Sequence, residues 1–291
     1  MPCALWGGTW VAVKLVEGAG VGPLAFAAVR ALLAGAALAV AVLAMRRGVR
    51  IERHDLPTLA AMAVTSALFF GLTFVGAERL PGGLSSLLAN ASPLFAVVLA
   101  ALLEHERVDA RAIAGVMLGA AGVAVIALPE MAAGPGDLVA MGVMLLGALA
   151  LAFNVVAMKR ATHLDPYVAN AAQMSGAGVL LAVGSLLGGQ WRGLPVNGEM
   201  VAAALYVGLA ATALGYVLWS YALSSLSVAR ASALLFLVPI FGHVWAWSIL
   251  REPVVPAEVL GAAIAVVGIA LAAGGGDRTV PALATSEAEA K

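Results

Sequence analysis

The stretch "LANASPLFAVVLAALLEHE" at residues 88–106 has a partner in "LLFLVPIFGHVWAWSILRE" at residues 234–252. Set 146 positions apart, the two share Leu88/Leu234, Pro93/Pro239, Phe95/Phe241, Ala100/Ala246 and Glu106/Glu252. Apolar segments resemble one another by composition, so the leucines and alanines carry little weight. The prolines carry more. A proline removes a backbone donor and clashes with the carbonyl four residues back, so it is expected to break an apolar helix. Two of them at matching depths ask for an architecture that uses the disruption.

Of the 291 residues, 63% are apolar and only 11% charged, with a mean hydropathy of +1.01. A soluble domain is about a quarter charged, so the chain reads as a polytopic membrane protein. Its 16 basic and 16 acidic residues cancel, which argues against a nucleic-acid partner or a polybasic tail. The single cysteine, Cys3, excludes a disulfide within the chain and offers no cysteine-based metal site. The six tryptophans lie mostly near the ends of apolar runs, as an aromatic belt would. No basic residue precedes the first apolar run in Met1–Leu5, so a cleavable signal peptide is not expected.

A helix needs about 20 apolar residues to cross the hydrocarbon core. Ten runs qualify as spans: 3–16, 23–45, 56–77, 83–103, 111–128, 138–158, 166–188, 200–223, 229–250 and 256–273. None alternates apolar and polar residues as the strands of a membrane barrel would. The first is short and begins almost at Met1, either because the helix is short or because the true start lies upstream. With alternating spans, one side collects Arg46, Arg47, Arg50, Arg53, Arg107, Arg111, Lys159, Arg160, Arg278 and Lys291. The other collects Arg79, Arg192 and Arg251. That asymmetry places both termini in the cytoplasm of a plasma-membrane protein.

The 146-residue shift also pairs Ser86 with Ser232, Gly115 with Gly261 and Gly122 with Gly268. Upstream it falls to 143, pairing Pro23 with Pro166 and Gly35 with Gly178. Spans 1–5 therefore correspond to spans 6–10, an internal repeat of a multi-helix unit. Five is an odd number, so the second copy starts on the opposite side of the membrane and the repeats are inverted. The fold class expected is an all-α polytopic membrane protein of ten transmembrane helices in two inverted five-helix repeats. Residues 1–128 form the first repeat, 129–137 a linker loop, 138–273 the second repeat, and 274–291 a disordered cytoplasmic tail. Inverted repeats are a frequent plan for secondary transporters, with the site near the midplane. Pro93 and Pro239 then fall about ten residues into their spans, roughly 15 Å deep. They leave the carbonyls of Ala89 and Leu235 without helical donors, which is tolerated against protein or a water-filled cavity but not against lipid.

The chain at this point resembles the drug/metabolite transporter superfamily, EamA type. The resemblance is carried by "LWGGTWVAVK" at 5–14, "PLAFAAVRALLAGAAL" at 23–38, "LSSLLANASPLFAVVLAALLEHE" at 84–106 and "GYVLWSYALSSLSVARASALLFLVPIFG" at 215–242. It implies ten helices in inverted repeats, with helices 3, 4, 8 and 9 lining a substrate cavity and helices 1, 2, 6 and 7 moving around it. It also implies packing or homodimer contacts for helices 5 and 10. His243 departs from the family pattern, which more often has a small or apolar residue there.

The candidate cavity residues are Trp6, Trp10, Arg30, Ser86, Asn90, Pro93, Tyr216, Ser232, Pro239 and His243. Arg30 lies seven residues into its span, where a cation faces a bundle interior, snorkels, or pairs with something. It could attract a carboxylate. Its counterpart in the repeat is neutral Gln173. Asn90, Ser92, Ser85 and Ser86 suit a polar substrate, a freed carbonyl or helix–helix hydrogen bonds. His243 is either a proton carrier or a packing residue. Trp6 and Trp10 share one helix face, and Tyr216, Trp219 and Ser220 share another. Trp219 reads as interfacial, and Lys14 and Lys159 as snorkelling ends. Gly115 and Gly119 suit close helix contact.

No acidic residue falls mid-span, which weakens a buried-carboxylate coupling mechanism. The clusters "EHE" at 104–106 and "HLD" at 163–165 read as solvated loops, so no metal, cofactor or catalytic site is expected. The reading is a secondary transporter, working by alternating access, that exports a small polar metabolite such as an amino acid or related compound. Its partners are that small molecule, the lipid bilayer and a second copy of the chain. A non-transporting membrane scaffold or receptor, or a membrane-embedded enzyme, is the alternative.

Overall fold

The computed structural model describes residues 2–16, 22–48, 50–80, 88–103, 109–131, 137–191, 197–251 and 256–273, and contains no strand among them. The helices are α1 (Pro2–Val16), α2 (Pro23–Ala44), α3 (Leu56–Ala77), α4 (Ser92–Leu103), α5 (Ala110–Met131), α6 (Leu138–Arg160), α7 (Pro166–Leu187), α8 (Gly198–Ser225), α9 (Val228–Leu250) and α10 (Pro256–Ala273). Six of them, α2, α3, α6, α7, α8 and α9, are long and apolar enough to cross a membrane, and Ser92–Leu103, Ala110–Val125 and Val259–Ala272 are shorter apolar helices. Their surface is inverted relative to a soluble protein. Leu43, Leu102, Leu138 and Leu187 are exposed, while Arg30, Ser66, Asn154, Asn170, Gln173 and Thr212 are buried. Polar groups turned inward and leucines outward are what a hydrocarbon solvent demands. The chain is a multi-pass membrane protein.

Local chemistry fixes the helix ends. Asp137, Asp165, Asn197 and Ser227 cap α6, α7, α8 and α9 by accepting first-turn backbone N–H groups, and Pro23 and Pro166 open α2 and α7. At the far end of α2, Arg46 adopts φ 50°, and the N–H groups of Arg46 and Arg47 return to the carbonyls of Leu43 and Val42. This closes the helix as a left-handed C-terminal cap and turns Arg47 toward α7.

Two helix pairs make the closest seams. The α5–α10 seam is glycine on backbone. A Cβ at Gly122 would lie 2.5 Å from Ala265 N and 2.6 Å from Gly261 O, and one at Gly268 would lie 2.5 Å from Gly119 N and 2.6 Å from Gly115 O. The α2–α7 seam sets Gly35 against Ser175 and Gly178 against Leu32. In both seams a rise in residue number on one helix meets a fall on the other, so the pairs are antiparallel. Around them α3 packs on α6 and α7, α8 packs on α1 and α2, α4 packs on α6, and α9 packs on α1.

Pro239 lies inside α9, as expected, but Pro93 sits differently. Pro93 lies in the first turn of α4 rather than mid-helix, after a break at Asn90–Ala91 where Ala91 N–H reaches Leu88 O and Leu94 N–H reaches Ala91 O. In α9, Pro239 follows a tight three-residue turn at Leu234–Phe236. The chain meets the missing donor by tightening to i→i−3 bonding just ahead of each proline. A start of the fourth span at Gly83, and Glu106 and Glu252, lie outside the described residues, as do 132–136 of the linker and the tail 274–291.

Candidate functional site

The site begins with a slot in α8. Residues Tyr206–Leu214 wind as a π-helix, wider than α, and such insertions loosen backbone carbonyls. One is used at once. Trp6 Nε1–H donates to Ala211 O at 2.7 Å, its indole lying where a Cβ on Gly215 would stand 2.8 Å from Nε1. Gly7 brings α1 against α9, its own Cβ position being 2.7 Å from Gly242 N. Tyr206 Oη–H donates to Leu5 O at 3.0 Å and fixes α1 from the other side.

Trp6 packs edge-on against Tyr216 and Trp219, with ring centroids 5.6 and 5.5 Å away, and Tyr216 meets Phe70 at 6.3 Å. These rings border a cavity of about 110 Å³, walled further by Phe69, Phe74, Leu151, Val155, Met158, Leu235 and Val238. A single water needs roughly 10–15 Å³ of such space, so a compact metabolite fits. Its polar wall is Thr9, Arg30, Thr73, Asn90, Ser92 and Asn154.

Arg30 is the charge in that wall. It is 5% exposed, which excludes snorkelling to headgroups. Its Nε and Nη2 donate to Thr212 Oγ1 at 3.2 and 3.0 Å, and the Thr212 hydroxyl donates onward to Val207 O at 2.7 Å. The guanidinium carbon stands 4.4 Å from the Phe70 centroid and 5.8 Å from that of Phe74. Ring faces and one hydroxyl hold the cation, and among the described residues no carboxylate pairs with it. Charge-assisted bidentate pairing with a carboxylate or phosphate is the strongest contact such a fork can make.

Across the bundle the neutral counterpart repeats the geometry. Gln173 Nε2–H donates to Ser66 Oγ at 2.6 Å, and Asn154 Nδ2 reaches Met62 O, Thr65 Oγ1 and Ser66 Oγ at 2.9, 2.9 and 3.1 Å. Ser66 precedes Thr212 by 146 positions, as Gln173 follows Arg30 by 143. Asn170 Nδ2 donates to Ser220 Oγ at 2.7 Å. Gln173 Oε1, Asn170 Oδ1, Thr9 Oγ1 and Ser232 Oγ are buried without hydrogen-bond partners among the described residues.

Of the sequence candidates, Trp6, Arg30, Asn90 and Tyr216 lie in the cavity wall. Pro93, Ser232 and Pro239 are buried beside it without lining it. His243 is partly buried, its Nδ1 2.8 Å from Pro239 O one turn back, and it does not line the cavity. Ser86 and the side chain of Trp10 lie outside the described residues. Trp219 is 2% exposed and turned to Trp6, not placed at an interface. Its apolar rim packs better among rings than its single N–H would hold it at headgroups. Lys159 does not snorkel. Its ammonium caps the end of α8 through Leu223 O and Leu226 O, both at 2.7 Å. Ser220 was singled out from sequence, but Thr212, Thr65, Ser66, Phe70 and Phe74 were not. The 146-residue offset that links Ser66 to Thr212 was the one signal for those two.

One end of the bundle is latched by the loops richest in arginine. Arg47 Nη1–H donates to Asp165 at 2.5 Å and lies over the Tyr167 ring at 4.1 Å, and this bond to Asp165 raises the Arg47 pKa. His163 bonds Asp55 at 2.8 Å, and Arg160 reaches Leu103 O at 3.2 Å. The Asp55 carboxyl is held below its ordinary value, first by the Glu52 N–H and then by His163. At the other end Arg79 lies 3.5 Å from Asp137.

Comparison with known proteins decides the family. The sequence matches the EamA-like transporter family over residues 1–128 and again over 138–274. The chain belongs to this family. Among its relatives is a probable terminal-alkyne amino-acid exporter of Streptantibioticus cattleyicolor, 33% identical over 91% of this chain and 89% of that one. An uncharacterized transporter of Bacillus subtilis is 26% identical over 91% of both. A crystal structure with 22% identity superposes at a TM-score of 0.80 over 93% of each chain, and that likeness speaks for the fold. These EamA relatives carry the names of transporters, not enzymes. Membership implies a small-molecule substrate and a membrane setting.

Proposed function

We propose that the protein is an alternating-access secondary transporter of the plasma membrane that exports a small polar metabolite bearing a carboxylate, an amino acid or a close relative. The single observation that carries the substrate class is Arg30. A buried cation held by one hydroxyl and two ring faces, and bordering a cavity, is stabilised by a substrate anion more than by anything else in that wall. The aromatic and aliphatic remainder suits a short hydrocarbon side chain. Asn90 and Thr9 supply partners for an amino group. The named amino-acid exporter among the relatives agrees in substrate and direction.

Ten spans in two inverted repeats, 1–128 and 138–273 with the linker 129–137 between them, are part of the proposal. Its support is reciprocity. Gly35 meets Ser175 as Gly178 meets Leu32, and Gly122 meets Ala265 as Gly268 meets Gly119. Arg30 bonds Thr212 as Gln173 bonds Ser66. Each pair becomes the other when the halves are exchanged, and the two family matches fall on the same halves. Rocking of such halves about the cavity opens it to either side in turn. In this reading the latched end, both termini and the tail 274–291 face the cytoplasm, which the excess of arginine in those loops supports. A homodimer would use the outward faces of α5 and α10, where Ile113, Met117, Val259 and Val266 are exposed.

Uptake of an amino-acid panel into proteoliposomes, with and without a pH gradient, tests the substrate class. Arg30→Lys should retain part of the transport of carboxylate substrates and Arg30→Ala should lose at least tenfold. Undiminished transport by Arg30→Ala would remove the arginine from the site.

A further inference from the structure

Away from the cavity, three side chains with metal-binding atoms converge at the arginine-rich end. His54 and Asp55 come from the turn between α2 and α3, and His163 from the turn between α6 and α7, 108 residues later. Asp55 Oδ1 lies 2.8 Å from His163 Nε2 and 3.3 Å from His54 Nε2, the ligand atoms of the trio are all within 4.8 Å of one another, and the two imidazoles stack at 6.2 Å. Ligands about 2.1 Å from a tetrahedral zinc ion stand roughly 3.4 Å apart, so little movement is needed to close on one.

The far side of each group is already engaged. His163 Nδ1 lies 3.0 Å from the Arg160 carbonyl. A carbonyl only accepts, so Nδ1–H donates to it, and Nε2 is the nitrogen left to face Asp55 Oδ1, where it donates a proton or, once that proton is given up, offers a lone pair to a metal ion. His54 Nδ1 lies 3.4 Å from Glu52 Oε2 and is oriented in the same sense. Asp55 Oδ2 accepts the Glu52 N–H at 2.9 Å, and the Asp55 side chain is 3% exposed. Two imidazole nitrogens therefore face one carboxylate oxygen, and a metal ion can take the place of the protons they share with it. Imidazoles oriented by hydrogen bonds at the opposite nitrogen are the usual outer shell of a metal site. Arg47, on the same end of the bundle, is engaged by Asp165.

We propose that His54, Asp55 and His163 bind one divalent transition-metal ion of the Zn²⁺ class, joining the α2–α3 turn to the α6–α7 turn and holding that end of the bundle shut. Two imidazoles and one carboxylate suit Zn²⁺, Co²⁺ or Ni²⁺ and not Ca²⁺ or Mg²⁺, which take oxygen ligands. Water completes the tetrahedron, with Glu52 remaining on His54 Nδ1. Binding stands on the residues alone. The closing effect rests on the alternating-access reading.

The test uses full-length protein in nanodiscs with its affinity tag removed, titrated with Co²⁺ and followed by visible absorption, then competed with Zn²⁺. The expected result is one Co²⁺ per chain with a tetrahedral band, displaced by Zn²⁺. His54→Ala and His163→Ala should each weaken binding at least tenfold while keeping the wild-type size-exclusion profile. The absence of a tetrahedral band, or unchanged affinity in His54→Ala, whose exposed ring leaves the fold untouched, would overturn the site and leave a proton as the shared cation. For closure, Zn²⁺ should slow transport in wild-type proteoliposomes and not in His54→Ala. Equal transport with and without Zn²⁺ in wild type, alongside a retained Co²⁺ band, would overturn the clamp. Transport absent in every condition would count against the transporter reading instead.

Discussion

Removing the Thr212 hydroxyl while keeping its shape, as Thr212→Val does, takes away the acceptor of two N–H groups from Arg30 at 3.0 and 3.2 Å. Hydrogen bonds to a charged group contribute about 1.5–3 kcal/mol each, neutral ones about 0.5–1.5. Two bonds sharing one oxygen fall short of twice that, so the pair is expected to couple by about 2–3 kcal/mol. The Phe70 face at 4.4 Å holds the cation in the variant and keeps the protein folded. The substitution also frees Val207 O, a loss common to both backgrounds that cancels in a double-mutant cycle. Unfolding of Arg30→Met, Thr212→Val and the double variant in mixed micelles supplies that cycle. Its mirror, Gln173→Leu with Ser66→Ala, removes a neutral bond of 2.6 Å and should couple by about 1 kcal/mol. Additivity within about 0.5 kcal/mol for the Arg30 pair would refute the account of how this charge is held, and equal coupling in both cycles would refute the role assigned to its charge.

Gly268→Leu puts a side chain where even a Cβ meets Gly119 N at 2.5 Å. The α5–α10 seam must open by about 1 Å, and unfolding should show a loss of at least about 1–3 kcal/mol, with Gly122→Leu matching it. Lys159→Met strips the cap from Leu223 O and Leu226 O, and thermal unfolding should report a loss of about 2–3 kcal/mol. Asp55 has a depressed carboxyl pKa, so its stabilisation is present above the unfolded value near 3.9 and lost as pH falls through the lower folded value. A melting series below about pH 4 should therefore fall more steeply in wild type than in Asp55→Asn.

Local pattern made much of the fold readable. Runs without alternation, Pro at helix starts and the offset linking Gly115 to Gly261 are properties of neighbouring residues or of composition. Arg30 stood out because charge is rare in such runs, and Trp6 and Tyr216 because rings are large. Thr212, Ser66 and Asn154 did not, because hydroxyls and amides occur in many membrane helices and matter only through what they face. Arg30 and Thr212 are 182 residues apart, and only the fold joins them. The π-helix at Tyr206–Leu214 and the tight turn at Leu234–Phe236 likewise depend on packing against α1 and α10. Pro93 shows the same limit. Its residue type announced a break, but the break at Asn90–Ala91 that makes it a helix-starting proline is a tertiary feature. "HLD" at 163–165 looked like a solvated loop because the carboxylate that receives His163 lies in another turn.

The central claim is that the cavity beside Arg30 carries a small carboxylate-bearing solute through the membrane by exposure to each side in turn. Counterflow in proteoliposomes measures this most directly, with unlabelled amino acid inside and a labelled trace outside. The account predicts transient accumulation of label in wild type, at least tenfold less in Arg30→Ala, and none for the decarboxylated amine. Label that fails to accumulate for every amino acid tried, or that accumulates equally in Arg30→Ala, would contradict it.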